Sequence, residues 1–515
     1  QYFNGSDIFV LKLNSNGTAL TGSTLVGGNG NDGIGRTFDF TLINYGDEFR
    51  GEVVVDDKDN IYVASSTTST NFPLVNPIST QYGGRQDAVL FKLSSDLKTL
   101  MASTYLGGTA PDAAYGLKWA PSGSLYVTGV TRSANLPAKT GAFKNVISGL
   151  EDGFLAKFAN DRLEQLTYLG TDSSDVAYLV DVDQDENVHV FGLTRGRYPT
   201  TTGTYVNTNA GQFIHALDKT LSKTVFSTTL GSSRARPDLT PTAFLVNECG
   251  NIYLSGWGGV VNSRNGYNPY SNTVGLPTTS DAFRQTTTGS NFYIAILEKG
   301  AKSLLYGTFI GSTVSSTDGD HVDGGTSRFD KNGIVYEAVC ASCGGSNSFP
   351  VTSGVAGPNN NASNCNMAGF KFRFDLNGLQ IITATANPST GCAPLAVNFT
   401  YTSTQPGTQY FWDFGDGTTS TTQFPSHTYT VGGTYTVRFI LRDPQNCNPV
   451  DSTTLTVTVG LRKTSTVNRT ICQGESVTVG NQTFNTAGSF TVTLQTSQFC
   501  DSVVTLNLIV NPIKT

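Results

Sequence analysis

A segment resembling Asp-x-Phe-x-x-Lys-Leu returns along most of the chain, and this repetition limits the possible folds more than any other feature. Its copies are DIFVLKL at 7–13, DAVLFKL at 87–93, DGFLAKF at 152–158, QFIHALD at 212–218, NFYIAIL at 291–297 and AGFKFRF at 368–374. Successive starts lie 80, 65, 60, 79 and 77 residues apart. A second element follows each of the first five: STLVGG at 23–28, STYLGG at 103–108, TYLG at 167–170, STTLGS at 227–232 and GTFIGS at 307–312. A third element is a hairpin, as in VDDKDNIYV at 55–63, WAPSGSLYV at 119–127, VDQDENVHV at 182–190, VNECGNIYL at 246–254 and FDKNGIVYE at 329–337. Its turn falls at Gly123, Gly250 or Gly333, or at an Asp/Asn equivalent, residues that tolerate the positive φ of tight hairpins. Pro-bearing connections such as NFPLVNP at 71–77 complete the unit.

Each unit thus supplies about four strands. In DAVLFKL, Val89, Phe91 and Leu93 alternate with Ala88 and Leu90, so both faces are apolar. Such a strand needs a sheet on either side, and four-stranded sheets repeating at this period pack into a β-propeller. The set D-x-F-x-x-K-L, S-T-Y-L-G-G, V-D-x-x-G-N-x-Y-V and N-F-P resembles the bacterial SBBP repeat, a propeller repeat of extracellular proteins, over about residues 7–375. That resemblance implies seven blades, whereas the sequence holds five full units and a sixth D-x-F-type strand. The expectation is that the chain starts part-way through a blade.

Residues 381–460 change character: ATANPSTGCAPLAVNFT, YFWDFGDGTTS, HTYTVGGTYTVRFILRD and STTLTVTV alternate as strands of a seven-strand sandwich. WDFGDG at 412–417, with HTY and GTYTV after it, resembles the PKD domain, an immunoglobulin-like module of cell-surface and secreted proteins. Trp412 and Phe414 are expected in its core, with Gly415-Asp416-Gly417 as a turn. Residues 461–515 form a small β unit, similar to short Cys-containing repeats of the surface adhesins of gliding bacteria. The fold class expected is all-β: a β-propeller over 1–380, an immunoglobulin-like PKD sandwich over 381–460 and a small disulfide-braced β domain over 461–515. Further modules are expected beyond the C-terminus.

Composition supports an all-β chain and removes other classes. Lys+Arg 33 against Asp+Glu 39 leaves a net charge of −6, and only 14% of residues are charged, against about 25% in an ordinary domain. No basic stripe could neutralise a phosphate backbone, so no nucleic-acid partner is expected. No apolar run approaches the ~20 residues that span a bilayer, so no membrane span is expected either. The sequence opens on Gln1 without a signal peptide, which is expected to have been removed or to lie outside it.

The eight cysteines place the chain in an oxidising, extracellular compartment. Cys392 with Cys447, and Cys472 with Cys500, fall inside the two small domains and are the expected bridges; Cys343 is expected to pair locally with Cys365. Cys340-Ala-Ser-Cys343 leaves a redox pair or half a zinc site open, and Cys249 stands in a hairpin turn.

Ligand candidates are few. Trp257, Tyr267 and Tyr270, in an insertion after Ser-Gly-Trp-Gly-Gly, could face sugar rings or a protein partner, or else pack across the blade top. Asp318, Asp320 and Asp323, with His321 among them, are the candidate calcium ligands, although a solvated loop serves equally. The acidic runs 181–187 and 56–60 occupy the repeated hairpin turn and read as turn chemistry. Sequons are assigned no function, and Asp501-Ser502-Val503 fits a short bacterial O-glycosylation pattern. No nucleophile elbow, H-E-x-x-H helix or phosphate loop occurs, and no enzyme is expected. The expected work is structural and adhesive: part of a surface adhesin, or a filament subunit associating with itself or other surface proteins. Polysaccharide binding is the alternative and polysaccharide degradation the third reading.

Overall fold

The computed structural model describes residues 5–35, 43–315, 319–323, 327–374, 379, 381–443, 450–494 and 500–513. Two of the expected site residues, Asp318 and Cys447, lie outside them. The chain is all-β and divides into two compact units, 1–374 and 375–515.

In the first unit each sequence repeat becomes an antiparallel meander. Sheet A has two strands, Ile8–Leu13 and Leu20–Val26. Sheets B to E have four each, beginning at Glu52, Asp112, Asp175 and Thr240, and sheet F has three, Arg328–Phe329, Val335–Ala341 and Asn366–Phe372. The D-x-F element is the third strand of each full sheet, as in Asp87–Leu93 and Asp152–Ala159, and the S-T-Y-L element is the fourth. First strands of successive sheets touch in order from B through F, and Arg328 of sheet F forms an ion pair with Glu52 of sheet B. Segment 43–50 lies among the first strands. Its buried Asp47 accepts hydrogen bonds from Tyr178 Oη at 2.6 Å and the Asn44 amide at 2.7 Å, and Arg50 donates to Pro241 O at 3.0 Å.

The recurring motifs are the joints between sheets. A carboxylate in the connection to the next sheet, or at the start of its first strand, accepts an amide hydrogen from the loop ending the preceding sheet. The pairs are Gly28 to Asp32 at 2.7 Å, Gly108 to Asp112 at 2.7 Å, Thr171 to Asp175 at 2.6 Å and Ser232 to Asp238 at 2.8 Å, with Ser312 to Asp320 as the fifth. At or just before the start of the D-x-F strand of the preceding sheet a second polar residue stands beside it: Asp7, Asp87, Asp152, Gln212 or Asn291. Between them sits one glycine, at 27, 107, 170, 231 or 311. A Cβ on Gly107 would stand 2.8 Å from Asp87 Cγ and 2.9 Å from Asp112 Oδ2, so the L-G-G element has no room for a side chain. The tyrosine of S-T-Y-L-G-G fastens the Pro-bearing connection: Tyr105 Oη donates to Ser69 O at 2.7 Å and accepts the Phe72 amide at 3.0 Å, and Tyr168 repeats this with Ser133 and Leu136. Four of the five hairpin turns share one device, in which an Asp or Asn side-chain oxygen accepts two amides ahead of it, as Asp183 does from Asp185 and Asn187; the turn at 119–127 has no Asp or Asn. The positive φ falls on Gly123, Gly250 and Gly333, but on Asp59 and Glu186 in the other copies, so the expected Asp/Asn equivalent is replaced by a glutamate once.

In the second unit, the described residues of 381–460 form eight strands rather than seven, in sheets of three and five. The two shortest are Thr390–Cys392, which pairs parallel to Val450–Gly460, and Thr419–Ser420, which pairs with Trp412 and Asp413. Trp412 and Phe414 are buried, the former stacked on Phe439 with ring centroids 3.9 Å apart. Beyond them Thr464–Cys472 runs parallel to Ser502–Asn511, which also pairs with Gly488–Leu494 around Ile471, Leu506 and Leu508.

Two predictions follow from the joints. Gly107→Ala pushes a methyl between carboxylates already pinned by backbone amides, and is expected to cost about 1–3 kcal/mol, read as a lower denaturation midpoint. Burial pushes Asp87 up to about 6 and Asp112 up to about 7, and the neighbouring charge of Asp87 adds to the rise at Asp112. Neither makes an ion pair among the described residues, whereas Asp152 has Lys144 at 2.7 Å and Asp238 has Arg234 at 2.8 Å. Because unfolded carboxylates ionise near pH 4, the folded state holds extra protons from there up to about pH 7, and stability falls as pH rises through that window. Thermal denaturation should therefore show a lower midpoint at pH 8 than at pH 5, with a shallower slope in Asp112→Asn.

Candidate functional site

Insertion 258–276 and segment 319–323 converge at one end of sheets E and F. Strand Ile252–Trp257 ends in Trp257-Gly258-Gly259, and Gly259 adopts φ +140° with Ser290 Oγ 2.3 Å from where a Cβ would lie. A short helix, Val260–Arg264, follows. Its buried Asn262 donates to Thr240 Oγ1 at 3.0 Å and Ser271 Oγ at 3.1 Å, and accepts the Tyr45 amide at 2.6 Å. The insertion is thereby held against segment 43–50.

Trp257 is 1% exposed and its ring lies 5.8 Å from that of His321. It cannot present a face to a sugar, so that expectation is corrected: the residue closes the strand end over the interior. Tyr267 is half-buried, edge-on to Tyr45 at 6.0 Å. Tyr270 alone of the three is open, 49% exposed, with the Arg236 guanidinium 4.0 Å over its ring. It rims a shallow groove with Arg234, Ser263, Asn272 and Ser290.

The expected calcium set is not assembled by its two described members. Asp320 is buried and is the joint carboxylate of its repeat; its oxygens accept from Ser312 Oγ at 2.8 Å and the Ser342 amide at 3.0 Å. Asp323 faces elsewhere, toward His321 Nε2 at 3.1 Å and the Cys340 thiol at 2.9 Å. The Tyr45 hydroxyl also hydrogen-bonds Asp323, and burial together with that carboxylate raises the phenol's pKa. Calcium takes six to eight oxygens as a rule, and this cluster mixes nitrogen, oxygen and sulfur. Burial and the hydrogen bond to Asp323 push the Cys340 thiol up to about 12, so on its own it is not a nucleophile at neutral pH. Sequence reading missed Tyr45 and the pairing of Cys340 with Asp323; the available signal was the connection 29–54, much longer than its sister at 109–118.

Cys343 is bonded to Cys365, with Cα atoms 3.9 Å apart. In the second unit the bridge is Cys392–Cys500, correcting both expected pairings there. The reason is the ladder: Thr464 pairs with Val503 and Cys472 with Asn511, which carries Cys472 some eight strand positions, roughly 25 Å, from the Cys500 end. Cys392, beside Gly460 at the end of the sandwich, meets Cys500 instead. The bridge ties the sandwich to the last β unit.

Comparison with known proteins bears on the second unit. Residues 380–459 match the PKD domain. A stretch of 48 residues is 46% identical to collagenase ColA of Bacillus cereus, covering 9% of this chain and 5% of that protein. Among solved structures, the PKD1 domain of the Vibrio cholerae metalloprotease PrtV is 27% identical, with 16% of this chain and 96% of that one covered and a TM-score of 0.14. A protein of unknown function from Dyadobacter fermentans covers 82% of this chain and 97% of its own at 9% identity and a TM-score of 0.32. The PKD domain and two disulfides are consistent with an extracellular protein. Among the described residues no helix is long and apolar enough to cross a membrane.

Non-reducing peptide mapping is expected to recover a Cys392–Cys500 cross-link and no Cys472–Cys500 peptide. Exposed Cys472 should be alkylated in the native protein well before Cys340; equal rates would contradict the environment described for Cys340.

Proposed function

We propose that the chain is an extracellular structural and adhesive β protein, part of a surface adhesin or a subunit of a filament, in which sheets A to F are arranged as a propeller. The sequential contact of first strands and the Arg328–Glu52 ion pair support that arrangement. The work assigned to it is contact rather than turnover, and no hydrolysis is expected on a broad polysaccharide panel.

The observation that carries this reading is the uncovered face of sheet A. Phe9 is 69% exposed and Leu11 49%, with Leu13 and Leu25 also exposed. Their equivalents in sheets B to E are buried: Val89, Phe154, Ile214 and Tyr293 at the first position, Phe91, Ala156, Ala216 and Ala295 at the second, while Phe370 and Phe372 of sheet F are half-buried. In the sister sheets a neighbouring sheet covers these positions. An apolar face of this kind marks a protein contact, and a contact between unlike faces that does not close on itself propagates as a filament. A second copy or another surface β protein would supply the missing layer, with open strand edges as further sites.

Sedimentation and negative-stain imaging of the full chain test this. Concentration-dependent assembly that Leu11→Asp abolishes is expected; dispersed monomers at every concentration would contradict it. The second reading, polysaccharide binding, has Tyr270 and Arg236 in its favour, since a half-exposed ring beside a guanidinium suits a sugar face. Glycan-array binding lost in Tyr270→Ala would support it over self-association.

A further inference from the structure

We propose that His321, Asp323 and Cys340 form a binding site for a divalent transition-metal ion of the zinc class. One imidazole nitrogen, one carboxylate oxygen and one thiol sulfur lie within 4.8 Å of one another. Tetrahedral zinc, with bonds of about 2.0–2.3 Å, sets its ligand atoms roughly 3.3–3.8 Å apart. His321 Nε2 lies 3.1 Å from Asp323 Oδ1 and Cys340 Sγ 2.9 Å from Asp323 Oδ2, so a rotation of the carboxylate brings one of its oxygens into such a set.

The site is held by the fold. Cys340 sits in strand Val335–Ala341, and His321 is bridged to it by both backbone hydrogen bonds, at 3.1 and 2.9 Å. His321 and Cys340 therefore project from paired backbone. The orientation of His321 is a second, independent observation. Its Nδ1 lies 3.0 Å from Gly319 O; a carbonyl only accepts, so Nδ1 carries the hydrogen. Nε2 is the nitrogen left to offer a lone pair, and it is the one that faces Asp323. Ligating histidines are held in this way, the other ring nitrogen donating to a carbonyl. The Tyr45 hydroxyl supplies the corresponding outer contact to Asp323.

The donor chemistry selects the ion. Nitrogen and sulfur donors favour zinc-class metals over calcium and magnesium, which take oxygen. Three protein ligands leave one position open, and Asp323, 54% exposed along its side chain, gives access from solvent. The Cys343–Cys365 disulfide, with Cys343 Sγ 3.9 Å from His321 Nδ1, packs on the far side of the ring and supplies no thiolate.

The test uses the full, disulfide-intact chain, stripped with chelator and titrated with cobalt(II), then with zinc. A thiolate-to-cobalt charge-transfer band saturating at one equivalent is expected. It should vanish in Cys340→Ser, persist in Cys472→Ser, weaken at least about tenfold in affinity in Asp323→Asn, and survive a large excess of calcium. Zinc should also slow still further the already slow, long-exposure alkylation of Cys340 in the unmodified chain, compared with the metal-free chain, a readout that needs no variant to fold. No thiolate band in the wild-type chain, a band that survives Cys340→Ser, displacement by calcium, or unprotected Cys340 would each overturn the proposal.

Discussion

The first unit depends on one repeated contact, a buried carboxylate that accepts an amide from the loop of the sheet before it while a second polar side chain stands across a glycine. Hydrogen bonds are strong where water is excluded, and removing a joint carboxyl would leave the amide it accepts unpaired inside the protein. The contact joins sheets rather than strands, so it sets where each meander lies on its neighbour. Its chemistry drifts from copy to copy: two aspartates at 87 and 112, an aspartate with Lys144 at 152, then Gln212 and Asn291. Successive copies relieve the like-charge crowding by a lysine or an amide, and the earliest copies keep it.

That geometry explains both candidate sites. The last joint carboxylate, Asp320, fixes the backbone just before His321 and Asp323, and so delivers them to Cys340. At the other end of the series, sheet A has a joint at Asp32 but no sheet over Phe9 and Leu11. Sheets B to E cover the equivalent positions and sheet A leaves them bare, and the adhesive reading rests on that contrast.

Much of this was legible in the sequence. The six D-x-F strands, the meander order, the turn glycines and the buried Trp412 and Phe414 follow from periodicity and turn chemistry, which are local. The disulfide of the second unit was not legible, because it depends on whether Thr464–Cys472 runs parallel or antiparallel to the final strand, and alternation is the same for both. Trp257 misled for a related reason: flanking glycines signal close approach of backbone, and here the approach buries the indole instead of displaying it. Asp320 looked like a metal ligand because its role as a joint is visible only when sheets are superposed. Segment 43–50, which carries the buried Asp47 and Tyr45, has no periodicity and announced itself only by length.

Native-state hydrogen exchange at the five joint amides, Gly28, Gly108, Thr171, Ser232 and Ser312, tests the central claim most directly. If these contacts fasten the sheets, all five amides exchange only through the large-scale opening that exposes the strands they join. Exchange as fast as that of the open turns at Gly141 and Gly203 would mean that something else holds the sheets together.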